Sequence, residues 1–341
     1  MVTIRDVAQA SGVHVSTVSR TFSAPHLVSA ETRNRVLAVA EGLGYRPNRA
    51  ARALTTGRTH NLGLIVADIA NPFFPPLIKA AQAQARERDY HVFVADTDEN
   101  PLMEQELIET LCKQVDGVLL CSPRLSNRVI ERLRAQVPFA VVNRRVKGLP
   151  TVLMDVGQGV RAAVGHLADL GHRRIALLSG PSGSWTSEEM HATATDAAAE
   201  AGVELTVLRP NEPTEQGGLA AAAAVAGSGM TGVLCHNDLV ALGLIEGLRE
   251  RGLSVPGDLS VIGVDDSLPG RLNRPKLTTI TMPTAAAGRM AVDLLLAAVN
   301  AGDSGTAALA RLETTLIVRE STGPVAPSAL PARLPASPAV R

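Results

Sequence analysis

The sequence predicts a multidomain protein: a small all-α headpiece of helix-turn-helix type, followed by a larger α/β body built on parallel sheets. Three observations carry this. The first 60 residues show helical spacing broken by glycines. From Asn61 onward, continuous apolar runs alternate with amphipathic segments, as in repeated β-α units. That alternation comes in two series split near Asp155, which implies two similar subdomains facing a cleft.

The headpiece opens with Thr3 and Asp6 three apart, the spacing of a capping box. Ile4, Val7 and Ala8 form one apolar stripe, and Gly12 ends the helix because it tolerates positive φ. Val18 and Phe22, four apart, seat a second helix against the first, which leaves Val15, Ser16, Thr17, Ser19 and Arg20 largely free of the core. Two helices joined this tightly are a helix-turn-helix, whose second helix enters the DNA major groove. Ser29 is the expected cap of a third helix, with Val36, Leu37, Ala40 and Leu43 as its buried stripe, Gly44 as its stop and Tyr45 packing back. Pro47 suits the start of a further helix of about two turns, too short to be stable alone. Through Arg58 there are eight arginines, no lysine and three acidic residues, a local excess of five positive charges in a chain of zero net charge. Basic charge gathered on a small helical unit is the footprint of phosphate contact.

In the body, Leu62–Ala67 reads as a buried parallel strand, followed by a helix from Phe74 to about Arg88 and a strand over His91–Ala95. A helix over Leu102–Cys112, a strand at Val118–Leu120, a helix at Ser126–Arg134 and a strand at Ala140–Val142 complete the first series. The second has strands at Arg174–Leu178, Glu204–Leu208, Gly232–Cys235 and Leu259–Val264, separated by helices. Past Glu320 the chain is rich in Pro, Ala and Ser and reads as a disordered tail over 321–341.

Cys112, Cys121 and Cys235 are few and far apart, and read as buried free thiols. No signal segment opens the chain, and the apolar run Ala220–Ala226 is too short to span a bilayer. These features predict a cytoplasmic protein without a membrane partner.

Ligands of parallel α/β sheets sit at the carboxyl ends of strands. Asp68, Asn143, Asp155, Asn237 and Asp265 fall at such ends, where each is also a candidate helix cap or turn residue. Asp238 and Asp266 suit capping better. Of eight aromatic residues, Phe73, Phe74 and Trp185 follow strands in loops facing the expected cleft, where a ring stacks on sugar or base faces.

Thr3-Ile4-Arg5-Asp6-Val7-Ala8, Gly12-Val13, Ser16-Thr17-Val18-Ser19-Arg20, Gly44-Tyr45-Arg46-Pro47-Asn48 and Arg52-Ala53-Leu54 together resemble the bacterial LacI/GalR repressor family, and the resemblance runs to about residue 320. It implies a helix-turn-helix domain over 1–46, a hinge over 47–60 and a periplasmic-binding-protein-like core over 61–320. In that core the chain crosses between subdomains near 155, 280 and 310. It implies a repressor that binds a pseudo-palindromic double-stranded operator as a homodimer, tuned by a small-molecule effector, a sugar or related metabolite. In that frame Val15 meets a thymine methyl, Ser16 donates or accepts at a base edge, and Arg20 reads guanine with both prongs. Thr17 and Ser19 position the helix on phosphates, and Thr3 and Tyr45 complete the DNA-facing set. Asn48, Arg49 and Ala51 belong to a hinge in the minor groove, and Leu54 is the apolar wedge that kinks the duplex.

The resemblance also places Asn71-Pro72-Phe73-Phe74 and Asp265 in the effector pocket. Two positions depart from the family pattern. Met190 stands where an arginine is usual, so the effector is less polar than a free sugar, or binds differently, or is not needed. His14 stands at the recognition-helix cap in place of serine, and is expected to cap poorly.

Two rival classes are weaker. A solute-binding protein would lack the headpiece. A nucleotide enzyme finds only Gly157-Gln158-Gly159-Val160-Arg161-Ala162, with no acidic residue ending the next strand to hold a ribose. No catalytic triad, metal cluster or cofactor motif is legible, so a non-enzyme without cofactor is expected.

Overall fold

The computed structural model describes residues 2–45, 57–208, 212–301 and 308–325. The chain forms two compact units, Met1–His60 and Asn61–Arg341.

The first unit packs three helices, α1 (Ile4–Ser11), α2 (Val15–Ser23) and α3 (Ala30–Gly42). The Asp6 carboxylate accepts from the Thr3 backbone N–H at 2.7 Å and from its hydroxyl at 2.8 Å. These bonds hold the Asp6 carboxyl below its ordinary pKa. Gly12 closes α1 at φ 64°. His14 corrects the expectation of a poor cap: its Nδ1 accepts from Ser16 N–H at 3.3 Å and pairs with the Ser16 hydroxyl at 2.9 Å. Nδ1 stands at the same bond distance from the backbone as an asparagine Oδ1, which gives the ring its reach. The core is Val7, Ala8, Val18, Val36 and Ala40, with Phe22, Val39 and Tyr45 packed on it. Leu37 and Leu43, expected inside, are 41% and 40% exposed. Leu37 lies about 100° around the helix from Val36, and Leu43 lies just past the last helical residue.

The second unit holds two six-stranded sheets. The first runs in the order β11-β5-β4-β3-β1-β2, from β1 (Asn61–Val66), β2 (His91–Asp96), β3 (Gly117–Cys121), β4 (Phe139–Val142), β5 (Thr151–Met154) and β11 (Leu309–Leu312). All its pairings are parallel. The second runs β12-β10-β9-β8-β6-β7, from β6 (Arg174–Leu178), β7 (Glu204–Leu208), β8 (Gly232–Cys235), β9 (Ser260–Asp265), β10 (Thr278–Thr281) and β12 (Thr315–Ile317). Only β12 in this sheet is antiparallel to its neighbour. β3, β4 and β8 are buried at every position, as strands covered on both faces must be. In the first subdomain, α4 (Phe74–Glu87), α5 (Pro101–Leu111) and α6 (Asn127–Leu133) follow β1, β2 and β3. In the second, α7 (Val156–Asp169), α8 (Trp185–Ala201), α9 (Glu215–Gly227), α10 (Asp238–Arg249) and α11 (Leu268–Leu272) alternate with the strands.

The chain passes between the sheets three times: from β5 into α7, from β10 into α12 (Thr284–Ala301), and from β11 into β12. By length and composition α12 could cross a membrane. Its Ala287, Ala291, Val292 and Leu295 are instead buried in the core with Leu77 and Ala81 of α4. Gly159, in the dinucleotide-like segment, serves packing: a Cβ there would lie 2.2 Å from Ile280 Cγ2. Its N–H donates to Thr314 Oγ1 at 3.0 Å.

The expected free tail fails for residues 321–325. Ser321 is fully buried. It accepts from Thr278 N–H and donates to the Val261 carbonyl, at 2.8 and 2.6 Å. His172 pairs with Thr231 and Ser260 hydroxyls and with the Gly323 carbonyl, and His166 with the Thr322 hydroxyl. Proline content marks where regular elements stop, and says nothing of hydrogen bonds made before the first proline. The rest of the tail lies outside the described residues. All three cysteines are buried and free.

Gly159→Ala is expected to cost roughly 1–3 kcal/mol through overpacking, read as a lowered Tm. Burial holds His172 and His166 below the ordinary histidine pKa. The unfolded chain therefore takes up these protons first, and their contribution to stability is lost as pH falls below about 6.5. The buried Asp238 carboxyl, pushed up to about 6, acts in the opposite sense. The test is the difference between variants: His172→Asn should lose less urea resistance than the parent between about pH 7 and pH 5.

Candidate functional site

On α2, Ser16, Ser19 and Arg20 are exposed, while Thr17 is half-buried. Arg20 has no carboxylate partner among the described residues. Val15, expected to be free, packs partly on the headpiece core beside Val13, because it lies three residues before the buried Val18 and shares the edge of that face of α2. The Thr3 hydroxyl is engaged by Asp6 at 2.8 Å. Tyr45 tilts against Phe22 with ring centroids 5.9 Å apart, and burial pushes its phenol pKa up. Asn48, Arg49, Ala51 and Leu54 lie outside the described residues.

In the second unit the strand ends of both subdomains converge on a cavity of ≈ 470 Å³, including its open mouth. It brings together five residues expected at the cleft: Phe73, Phe74, Asn143, Asn237 and Asp265. Phe73 and Phe74 meet edge to face at 4.9 Å, and Asn71 Oδ1 fixes their turn by accepting from Phe73 N–H at 3.0 Å. Asn143 sits at φ 57° after β4. Asn237 caps α10 by accepting from Val240 N–H at 2.9 Å and donates to the Pro213 carbonyl at 2.8 Å. Asp265 stands at φ 118° at the end of β9. Its carboxylate has no hydrogen-bond partner among the described residues. Burial and the neighbouring Asp238 push its pKa up. Asp238 is no exposed cap: it accepts from Thr279 Oγ1 at 2.6 Å and Ser267 N–H at 2.7 Å, tying α10 to the ends of β9 and β10.

Four expected residues lie elsewhere. Asp68 closes a turn by accepting from Ala70 N–H at 2.8 Å. Asp155 caps α7 and pairs with Arg311 at 3.7 Å. Met190 is 1% exposed and belongs to the core. Trp185 starts α8 and lines a different cavity, beside Asn127, Arg145 and Lys147 of the first subdomain. Which way a side chain faces at such a position is not reported by spacing along the chain.

The cavity also holds residues the sequence reading missed, above all Arg124, Glu99, Ser122 and His236. Arg124 follows β3 and is clamped. Its Nε and Nη2 donate to the Glu99 carboxylate, and its Nη1 donates to the Ser122 carbonyl at 2.6 Å. Its backbone N–H donates to Glu104 Oε2 at 2.7 Å. The Arg124 side chain is 8% exposed, so this two-pronged pair is largely shielded from solvent. His236 follows β8, and burial, helped by Arg124, pushes its pKa down to about 4. The strand-end rule that found Asn143 and Asn237 applies equally to Ser122-Pro123-Arg124 after β3 and to His236 after β8.

Comparisons with known proteins agree with this geometry. Residues 3–48 match the bacterial regulatory proteins of the lacI family, and residues 164–322 match a periplasmic binding protein-like domain. The chain is 33% identical to the transcriptional regulator GalR of Escherichia coli over 305 residues, covering 87% of this chain and 89% of GalR. It is also 33% identical to DegA of Bacillus subtilis, covering 95% of this chain and 98% of DegA. Among solved structures, a lac repressor dimer bound to operator and the anti-inducer ONPF superposes with TM-score 0.85 at 27% identity, covering 94% of this chain and 99% of that one. A CelR–cellobiose complex superposes with TM-score 0.70 at 29% identity, covering 94% and 100%. With a helix-turn-helix headpiece, two linked parallel-sheet subdomains and relatives aligned along nearly its whole length, the chain belongs to the LacI family of DNA-binding transcriptional regulators, a non-enzymatic family with a ligand-binding core.

Proposed function

We propose that the protein represses transcription as a homodimer on a pseudo-palindromic operator, and that a small polar molecule held in the body cleft alters its grip. The observation that carries the DNA half is α2, whose Ser16, Ser19 and Arg20 face solvent while Val18 holds the helix in the core. Arg20 offers a two-pronged donor matched to guanine O6 and N7, and the serines offer hydroxyls to phosphates or base edges. A two-fold dimer presents two such helices to successive turns of the major groove. The similar lac repressor structure is a dimer on its operator. Support for the ligand half is the cavity itself, where Asn143, Asn237, Asp265 and the Phe73–Phe74 pair converge from both subdomains. Polar groups fixed around aromatic faces suit a hydroxylated ligand. The similar CelR structure holds cellobiose, and a similar regulator from Enterococcus faecium holds ribose.

Selection of bound sequences from random duplexes tests the DNA half, with a palindromic consensus expected. Arg20→Ala should lose preference at one base per half-site, costing roughly 1–3 kcal/mol each; an unchanged consensus would reject the assignment. For the ligand half, Asp265→Ala should keep operator affinity within about twofold while weakening ligand binding about tenfold, as loss of one buried hydrogen bond implies. Isothermal titration with the best metabolite from a release screen reads that loss.

A further inference from the structure

A second cavity lies beside the cleft and shares no lining residue with it. It measures ≈ 1090 Å³, including its open mouth. Asn127, Arg145, Lys147, Leu149 and Leu309 line it from the first subdomain, and Trp185 lines it from the second. The same two chain segments wall both spaces. Asn143 lines the cleft while Arg145 and Lys147 line the second cavity, and Ser184 and Thr186 line the cleft while Trp185, between them, lines the other. Successive residues at the start of a helix point about 100° apart, so one short stretch serves two cavities.

The polar side-chain groups left uncommitted in this second cavity are donors. Arg145 and Lys147 are exposed and have no carboxylate partner among the described residues. The neighbouring arginines are engaged: Arg144 donates to Asn127 Oδ1 and to the Pro123 carbonyl, each at 3.0 Å, and Arg134 to the Gly148 carbonyl at 3.0 Å. With Oδ1 so used, the remaining group of Asn127 is its amide nitrogen, which has no acceptor among the described residues. The indole N–H of Trp185 has none there either, and its ring has no aromatic partner among them. Two nearby backbone acceptors are already taken, the Val146 carbonyl by Leu149 N–H at 3.2 Å and the Leu149 carbonyl by the Thr151 hydroxyl at 3.0 Å. No acidic side chain among the described residues lines the cavity, since Glu188 and Glu189 of α8 lie outside its wall.

We propose that this cavity is a second ligand site, separate from the strand-end cleft, for an anion carried on a flat apolar body: an aromatic carboxylate or phosphate ester seated between the two subdomains. The anion meets Arg145 and Lys147, whose charges nothing on the cavity wall cancels. The flat body lies on Trp185, whose indole offers a broad apolar face, and covers Leu309, which is 42% exposed. A neutral ring forfeits the charges and a bare inorganic anion forfeits the indole, so each half alone binds weakly. Charge sets this cavity apart from the cleft, where Asp265 opposes anions and Arg124 is held by Glu99.

The test titrates the full chain with phenyl phosphate, benzoate, benzyl alcohol and inorganic phosphate. Emission of Trp185, the single tryptophan, reports occupancy, with calorimetry as a second readout. At least one aromatic anion is expected to change the emission and to bind roughly tenfold or more tightly than benzyl alcohol or inorganic phosphate. The double variant Arg145→Gln, Lys147→Gln should weaken that anion by roughly tenfold or more, and Trp185→Leu should weaken it in calorimetry. Because both cations are exposed, the double variant should keep the parent Tm and operator affinity. Rising ionic strength should weaken the anions and leave benzyl alcohol unmoved. Tighter binding of phenyl phosphate assigns a phosphate ester and tighter binding of benzoate a carboxylate, and either sustains the site. Parent-like anion binding by the folded double variant overturns it, because the anion then sits elsewhere. Benzyl alcohol binding as tightly as the anions overturns it as well. So does the absence of binding of either aromatic anion up to about 10 mM by a folded parent chain.

Discussion

The hydrogen bonds at Thr314 are the constraint on which the two-subdomain body depends. This nearly inaccessible hydroxyl donates to the Asp155 carbonyl at 2.6 Å and accepts from the Gly159 N–H at 3.0 Å. Asp155 N–H in turn donates to the Leu312 carbonyl at 2.8 Å. One threonine thus joins the first and third passages of the chain between the sheets. Three parallel connections resist twisting, because each limits the freedom of the other two. Residue 159 must be glycine for the helix to approach so closely, which explains a glycine pattern that superficially resembles a nucleotide loop.

That constraint sets the strand ends of both sheets face to face, and the backbone there is strained. Ser122, Asn143, Asp265 and Asp266 all have positive φ, at 52°, 57°, 118° and 55°. None is glycine, so each left-handed turn is held against its own preference by surrounding bonds. Asp266 is held by Arg319 at 2.5 Å, and Ser122 by its carbonyl bond to Arg124. Ser122, Asn143 and Asp265 line the cavity, so their positions are set before any ligand arrives, which lowers the ordering cost of binding.

Charge is handled differently in the two units. The headpiece arginines up to Arg35 have no carboxylate partners among the described residues, and their charge is available to an external polyanion. In the cleft, Arg124 is neutralised by Glu99 and the imidazole of His236 is held uncharged by burial. The headpiece keeps this positive charge unpaired among the described residues, whereas the cleft pairs or suppresses its own.

Local chemistry determined what was legible in the sequence. The capping pair Thr3–Asp6, the stop at Gly12 and the buried strands from Leu62 onward depend on residues a few positions apart, and they stand where the spacing places them. The strand-end rule reached Asn143, Asn237 and Asp265 because parallel sheets direct their carboxyl ends to one side whatever the loops contain. Only the tertiary structure decided which polar residues share the cavity. Asp68 and Asp155 turned to the backbone beside them, Met190 and Trp185 faced away, and Arg124 and His236 entered from the ends of β3 and β8. The reason is physical: a cap or a buried strand is specified by neighbours along the chain, whereas a binding site is specified by the angle between two sheets, fixed by contacts such as Thr314 with Asp155, 159 residues apart in sequence.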